Sequence, residues 1–118
     1  MIHYFCTACW TQLSADATRC PACGGPVDTT LTYADKLVRA LRAPDGALVV
    51  HAAHTLGALR DPRAVEALEY VVWHGDPYAA AEAVRALAHI GTPAATRDVA
   101  AAADHPSVIV RTAAGSVE

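Results

Sequence analysis

A repeat of 31 residues organises most of this 118-residue chain. Apolar residues recur at that spacing in six registers. The matched positions are Leu37, Leu68 and Val99; Leu41, Val72 and Ala103; Leu48, Ala79 and Val110; Ala52, Ala83 and Ala114; Leu56 and Leu87; and Leu59 and Ile90. A period of this length is typical of repeat proteins, in which each unit is one supersecondary element and stacked units share a continuous core.

Helix-start signals fall at regular points within the repeat. An N-capping side chain precedes five of the apolar runs, and in three of them proline follows at the first helical position. These N-cap residues are Thr32, Asp45, Asp61, Asp76 and Thr92. Gly75 and Gly91 stand where a left-handed C-cap is expected. The pattern predicts six helices, at about residues 32–42, 46–59, 62–74, 77–90, 93–103 and 107–117.

The six predicted helices pair into three hairpins, at residues 32–61, 62–92 and 93–118. A single amphipathic hairpin cannot bury its apolar face alone, so neighbouring hairpins must stack. The register occupied only by alanine lets helices approach closely, while leucine, valine and isoleucine in the other registers fill the layer between them. The predicted fold class is therefore an all-α solenoid.

This repeat resembles the short HEAT-like class that also occurs in phycobilisome lyases, and the resemblance spans residues 32–118. It rests on the runs Leu48–Asp61, Ala79–Thr92 and Val110–Val117. The arginine of the family signature is present as Arg111 and is replaced by Val49 and Ala80 in the first two repeats. The resemblance implies three HEAT-like hairpins whose second helices line a concave face.

The four cysteines of the chain, Cys6, Cys9, Cys20 and Cys23, all lie in its first 23 residues. They form two Cys-x-x-Cys pairs separated by ten residues. A two-residue gap lets both thiolates of a pair point at one ion, and the second pair completes a closed tetrahedral site of four sulfurs. The spacing predicts one structural Zn²⁺, whose binding would supply most of the stability of so small a unit.

Two other uses of Cys-x-x-Cys are a redox dithiol and a pair of disulfides. A thioredoxin-type dithiol needs a βαβ context, which is missing here, and disulfide frameworks belong to exported chains. The segment Phe5–Val27 resembles the short zinc-ribbon module found at the N-termini of many bacterial proteins. Trp10 stands where that module usually has glycine, and we expect it to cap the small core of the ribbon. The domain boundary is predicted at Asp28–Leu31, between a ribbon and linker at 1–31 and the repeats at 32–118.

The charge balance disfavours nucleic acid as the main partner. The formal net charge is -3, and four thiolates around one Zn²⁺ bring it to about -5. Lys36, Arg39 and Arg42 form a short basic ridge on the first helix, but three cations do not make an electrostatic footprint for a phosphate backbone. No apolar run is long enough to cross a bilayer, and no signal peptide is evident, so we expect a cytoplasmic protein.

A polar row is predicted on the second helices of the first two hairpins. If these helices line the concave face, as the resemblance implies, the solvent-side positions are His51, His54, Glu82, Arg85 and His89. His51 and His54 lie three residues apart and could share a metal ion, but only one carboxylate is near in the pattern, and a metal site needs three or four ligands. The row is interpreted as a surface that binds another protein.

Signals for catalysis are missing from the sequence. The HEAT-like resemblance implies iron hydroxylases that use His-Glu pairs, and no His-Glu dipeptide occurs. No phosphate-binding glycine loop or Ser/His/Asp order stands out, and no cysteine remains outside the first 23 residues. The sequence therefore predicts that the protein is not an enzyme and acts as a protein-binding adaptor or scaffold.

Alternatives from other classes remain open. They are a nucleic-acid-associated zinc-ribbon protein and a HEAT-repeat lyase-like enzyme.

The last helix is apolar, with Val108, Ile109 and Val110 in its first turn. A solenoid normally ends in a polar capping helix, so this helix is also predicted as a surface for association between copies of the chain.

Overall fold

A computed structural model describes residues 4–6, 9–13, 18–26 and 32–116. Within these ranges the helices are α1 (Tyr33–Ala40), α2 (Gly46–Leu59), α3 (Val65–His74), α4 (Pro77–Ile90), α5 (Pro93–Ala101) and α6 (Val108–Ser116). Short 3-10 turns at Pro62–Ala64 and Ala102–Asp104 precede α3 and follow α5. The predicted helical solenoid is confirmed. The predicted domain boundary at 28–31 and residue 117, the predicted end of the sixth helix, lie outside the described residues.

The structure confirms the predicted capping role of all five N-cap residues, but Asp61 caps the 3-10 turn at Pro62–Ala64, so α3 begins at Val65 rather than at the predicted residue 62. Thr32 and Asp35 form a reciprocal capping box at α1. The other four N-cap side chains also accept hydrogen bonds from backbone N–H groups of the first turn. These side chains satisfy donors that a helix end would otherwise leave without a partner.

The two predicted C-cap glycines differ. Gly91 has φ +70° and ends α4 in the left-handed conformation. Gly75 has φ -81° and is extended, so the prediction of a left-handed cap there is wrong. A Cβ on Gly75 would lie 2.8 Å from the carbonyl oxygen of Val71. This glycine is therefore explained by a close approach of backbone rather than by a left-handed turn.

The 31-residue period is visible in the helix positions. The second helices α2, α4 and α6 begin at Gly46, Pro77 and Val108, which are equivalent residues of the three repeats. These helices pack along one another, whereas the first helices contact one another much less. The second helices therefore form one continuous layer of the solenoid, which we call the inner layer.

The core lies between the two layers and is built from the repeated apolar registers. Leu37, Leu68, Leu56 and Leu87 are fully buried, and so are the alanines of α2 and α4 that face each other. Gly57 lies at the tightest approach, because a Cβ there would lie 2.8 Å from the Cα atom of Ala86. Small side chains thus let α2 and α4 approach closely.

Hydrogen bonds of His105 join the turn before α6 to the second hairpin. The His105 Nε2–H donates to the carbonyl of Val72 at 2.8 Å, and the Ser107 N–H donates to His105 Nδ1 at 3.0 Å. The imidazole also stacks on Trp73 with ring centroids 4.9 Å apart. Trp73 remains 40% exposed despite this stacking.

We predict that Gly57→Val lowers the free energy of unfolding by about 1–3 kcal/mol, because the added side chain forces α2 away from α4. Gly115→Val is the matched control. Gly115 is also helical, and a Cβ there would meet nothing within 4 Å. Its effect should stay within about 0.5 kcal/mol. Urea denaturation followed by circular dichroism measures both, and equal losses would show that the α2–α4 approach is not tight.

Candidate functional site

The first described segment is a small unit that surrounds the four cysteines. Strands β1 (Tyr4–Phe5) and β2 (Gln12–Leu13) pair in antiparallel fashion, so the first cysteine pair lies in the connection between them. An isolated bridge between Arg19 and Pro26 flanks the second pair. We call residues 4–26, as far as they are described, the cysteine unit.

The two cysteine pairs lie in turns of the same geometry. The Trp10 N–H donates to the carbonyl of Cys6 at 2.7 Å, and the Gly24 N–H donates to the carbonyl of Cys20 at 2.9 Å. Trp10 has φ +64° and Gly24 has φ +74°. Each turn therefore ends on a left-handed residue directly after its second cysteine. Tryptophan occupies in the first turn the conformation that glycine occupies in the second, at an energetic cost that glycine avoids.

The four sulfur atoms converge on one point. The Sγ atoms of Cys6 and Cys23 are 3.7 Å apart, those of Cys9 and Cys20 are 3.6 Å apart, and all four lie within 4.8 Å of one another. These separations exclude disulfides, whose sulfurs are about 2.05 Å apart. A tetrahedral ion with metal–sulfur bonds of about 2.3 Å holds its sulfurs about 3.8 Å apart, so the geometry fits a metal ion.

Local hydrogen bonds shift the pKa values of Cys9 and Cys23 in opposite directions. The side chain and backbone of Thr11 lower the pKa of Cys9 to about 6, and its hydroxyl lies 3.1 Å from the sulfur. A backbone hydrogen bond from Gly25 lowers the pKa of Cys23, but contacts with the other three thiols outweigh it and raise that pKa to about 11. Four sulfurs in contact share protons, and a bound cation would displace them.

The buried core of the cysteine unit is formed by Cys6, Leu13 and Cys20. Trp10 is half-buried and lines a cavity of about 660 Å³ together with residues of α1 and α3. The expectation that Trp10 caps the ribbon core stays a prediction. Its side chain lies where the cysteine unit meets the first two helical hairpins.

A second polar arrangement lies on the inner layer. The carboxylate of Glu82 on α4 is 3.0 Å from His54 Nδ1 on α2, and its other oxygen accepts a hydrogen bond of 3.0 Å from Arg85. Glu82 is 15% exposed, whereas the side chains of His54 and Arg85 are 73% and 49% exposed. We call this arrangement the His54–Glu82–Arg85 triad. His51 is half-buried, and His89 is exposed.

The structure does not support the shared metal site considered for His51 and His54. Among the described residues, the four cysteines are the only cluster of three or more side chains positioned to hold an ion. His54 is engaged instead by the carboxylate of Glu82, which lies 28 residues further along the chain.

A third group of residues lies between α1 and α3 and was not identified as a site from the sequence. The guanidinium of Arg42 lies over the ring of Tyr70, 4.4 Å from its centroid. The same ring stacks on His74 at 4.2 Å. These three side chains border both the cavity near Trp10 and a second cavity of about 520 Å³. The 31-residue repeat carries a signal for this group, because it places Arg42 at the position that is equivalent to Trp73 in the next repeat.

The remaining surface has few distinctive features. Val108 at the start of α6 is 63% exposed, and association of copies through this helix stays a prediction. Among the described helices, none combines the length and the apolar character that a membrane span requires.

Comparisons with known proteins agree on the helical part. A family model described as HEAT repeats matches residues 34–117. The narrower phycobilisome-lyase class stays a prediction. No curated protein matches the chain. A solved structure, human deoxyhypusine hydroxylase in complex with glycerol, is similar with a TM-score of 0.67 and 26% identity. The match covers 71% of this chain and 30% of that one, so the chain spans less than a third of the similar protein.

This similarity contradicts the prediction that the protein is not an enzyme, because the similar structure is that of an enzyme. The prediction relied on the absence of contiguous motifs such as a His-Glu dipeptide. A helical repeat brings together side chains from successive hairpins, as the contact between His54 and Glu82 shows. The absence of a local motif therefore says little about what such a surface can do.

We predict that the chain binds one divalent metal ion through the cysteine unit. Native mass spectrometry of protein purified without added metal should show one ion per chain. Cys20→Ser should lose it, because this buried thiol is one of only four ligands. Acid should release the ion, since protons compete for the sulfurs. An ion that remains after Cys20→Ser would place the metal elsewhere.

Proposed function

Because the chain belongs to the HEAT-repeat family, we propose that it is a HEAT-repeat platform that binds a partner protein along the exposed face of α2 and α4. The observation that carries this proposal is the His54–Glu82–Arg85 triad, which crosses from one helix to the other on the inner layer. A continuous polar surface shared by two repeats is what these folds use for extended partners.

The face has the composition of a protein-binding surface. Tyr78, Glu82, Arg85 and His89 follow one another at helical spacing along α4. Tyr78 is 70% exposed, and tyrosine and arginine are the side chains most often found at the energetic centre of interfaces. The equivalent positions at the two ends of this row on α2 are Ala47 and Ala58. These small side chains leave room beside the α4 row for a bound segment.

The polar atoms left free on this face point to an acidic partner. The carboxylate of Glu82 is mostly covered and is already engaged by His54 and Arg85. The accessible groups are then the outer edge of His54, the remaining N–H groups of Arg85, the imidazole of His89 and the hydroxyl of Tyr78. Most of these can donate hydrogen bonds, and guanidinium groups pair well with carboxylates. A segment rich in aspartate or glutamate would supply the matching acceptors.

The cysteine unit is proposed to be a zinc ribbon. Four sulfurs without an open position favour Zn²⁺ in a structural role, since catalytic zinc sites keep a site for water. Two equivalent turns joined to short strands support this assignment. The ribbon would hold Trp10 against the first hairpins, so the metal would stabilise one end of the repeat platform.

We predict that Arg85→Glu abolishes binding of the partner, because it reverses the charge at the centre of the surface. Arg97→Glu on α5 is the matched control, since it makes the same charge change at an exposed position of the outer layer. Both variants serve as baits in extracts of the native cells, and quantitative mass spectrometry compares the captured proteins.

The captured amount of at least one acidic protein should fall about tenfold or more with Arg85→Glu, which corresponds to a loss of about 1.4 kcal/mol of binding free energy. Arg97→Glu should capture the same protein as well as the unchanged chain does. Equal capture by both variants would contradict the proposed surface. Capture of RNA instead, lost at high salt, would favour a nucleic-acid function.

A second candidate, an enzyme or one portion of an enzyme, is favoured by the similarity to human deoxyhypusine hydroxylase. The contact between His54 and Glu82 gives the inner face one paired imidazole and carboxylate, a combination that serves proton transfer or metal binding. Titration of the zinc-saturated chain with Fe²⁺ or Mn²⁺ under nitrogen separates the candidates. A second bound ion that is lost in His54→Ala supports the enzyme, and no second ion supports the binding platform.

A further inference from the structure

The three repeats differ at one equivalent place, the gap between successive hairpin turns. The 31-residue step relates His105 to His74, and it relates Trp73 to Arg42. The starts of α4 and α6 confirm that these positions are structurally equivalent. The gap between the second and third turns can therefore be compared with the gap between the first and second, side chain by side chain.

The gap between the second and third turns is occupied by two stacked side chains of the protein itself. The indole of Trp73 stacks on His105 with centroids 4.9 Å apart. His105 is held by the carbonyl of Val72 on one side and by the N–H of Ser107 on the other. A planar aromatic group and a fixed imidazole thus fill this interval.

The gap between the first and second turns is open. His74 turns back onto its own helix, where its Nδ1 lies 3.0 Å from the carbonyl oxygen of Tyr70 and its ring stacks on Tyr70. The residue equivalent to Trp73 is Arg42, whose guanidinium lies over the ring of Tyr70 at one side of the gap. The result is the cavity of about 520 Å³, which we call the turn cavity.

The turn cavity has an apolar floor and a polar rim. Its floor is formed by Leu41, Val49, Val71 and Ala79, all of which are buried. Its volume lies within the usual range of small-molecule sites, about 300–1,000 Å³. Such a floor favours an apolar ring, which is what the equivalent gap already holds in the form of Trp73.

The cation at the rim, Arg42, suits a negative group on that ring. Asp76 also lines the cavity, but its carboxylate accepts hydrogen bonds of 2.9 Å from the N–H groups of Tyr78 and Ala79 at the start of α4. Arg42 is exposed and makes no ion pair with another described residue. Its N–H groups are the strongest hydrogen-bond donors at the rim, and they suit a carboxylate.

We propose that the turn cavity binds a planar aromatic group that carries a carboxylate, with the ring in place of the missing indole and the carboxylate on Arg42. This site lies between hairpin turns and shares no residue with the His54–Glu82–Arg85 triad. It therefore does not depend on the proposed partner surface. The ligand is either a free aromatic acid or the C-terminal aromatic residue of a chain, which present the same two groups.

The test uses N-acetyl-L-tryptophan with the full-length, zinc-loaded protein. Two-dimensional ¹H–¹⁵N NMR should show saturable shifts at Gly75 and Ala79 with a Kd of about 0.1–1 mM. N-acetyl-L-tryptophan amide keeps the ring without the charge and should bind about fivefold to tenfold more weakly, and N-acetyl-L-alanine should not bind. Equal affinity of the acid and the amide, or no shift at 10 mM acid, would overturn the proposal.

Two substitutions of Arg42 test separately whether the ligand's ring occupies the turn cavity and whether its carboxylate binds the guanidinium. Arg42→Trp installs the residue of the next repeat, so it should fill the cavity, abolish binding and raise the melting temperature. Arg42→Gln leaves the cavity open and should weaken binding of the acid to the level of the amide. If Arg42→Trp does not fold, the affinity of Arg42→Gln for the acid still tests the proposal. Binding of the acid by Arg42→Gln with unchanged affinity would contradict the site.

A peptide distinguishes the two sources of ligand. Acetyl-Ala-Ala-Trp ends in the same ring and carboxylate but adds backbone that can reach beyond the rim. Binding at least tenfold tighter than that of N-acetyl-L-tryptophan assigns the site to a chain terminus, and equal binding assigns it to a free acid. If neither probe binds the folded protein, the proposed site does not exist.

Discussion

The close packing of α2 on α4 is the contact on which the rest of this structure depends. It is possible because small side chains face each other across the two helices, and Gly57 comes close enough to Ala86 that no Cβ fits. The second helices consequently approach one another more closely than the first helices do. The same approach brings His54 on α2 within hydrogen-bonding distance of Glu82 on α4. Packing and candidate chemistry on the inner face therefore have one cause.

The cysteine unit and the hairpins meet through one unusual residue. Trp10 occupies a left-handed position for which glycine is the usual choice, and its side chain reaches the cavity between α1 and α3. A bulky residue in that conformation costs free energy within its own turn. The cavity that it lines also borders α1 and α3, so the cysteine unit and the helical repeats meet at this residue.

The three repeats share a backbone but have diverged in the gaps between their turns. One gap is filled by Trp73 and His105, and the equivalent gap is lined by Arg42 and His74 without being filled. A repeat protein can vary such positions independently, because each gap contacts only two neighbouring hairpins. Stability is supplied by the buried registers that all repeats retain, so the surface between the turns is free to differ. This freedom explains how a small solenoid can carry distinct sites on separate edges.

The sequence by itself determined the features that depend on neighbours along the chain. The cysteine spacing indicated the cluster of four sulfurs, the N-cap residues indicated the helix starts, and the 31-residue period indicated the stacked hairpins. The resemblance to HEAT-like repeats placed His54, Glu82 and Arg85 on one face, although their hydrogen bonds could not be read from it. Only the tertiary structure decided that Gly75 is extended, that Trp10 lines a cavity with residues of α1 and α3, and that Arg42, Tyr70 and His74 form one stack. Capping and metal spacing act within a few residues, whereas stacking and cavity formation depend on the distance between helices, which many side chains set together.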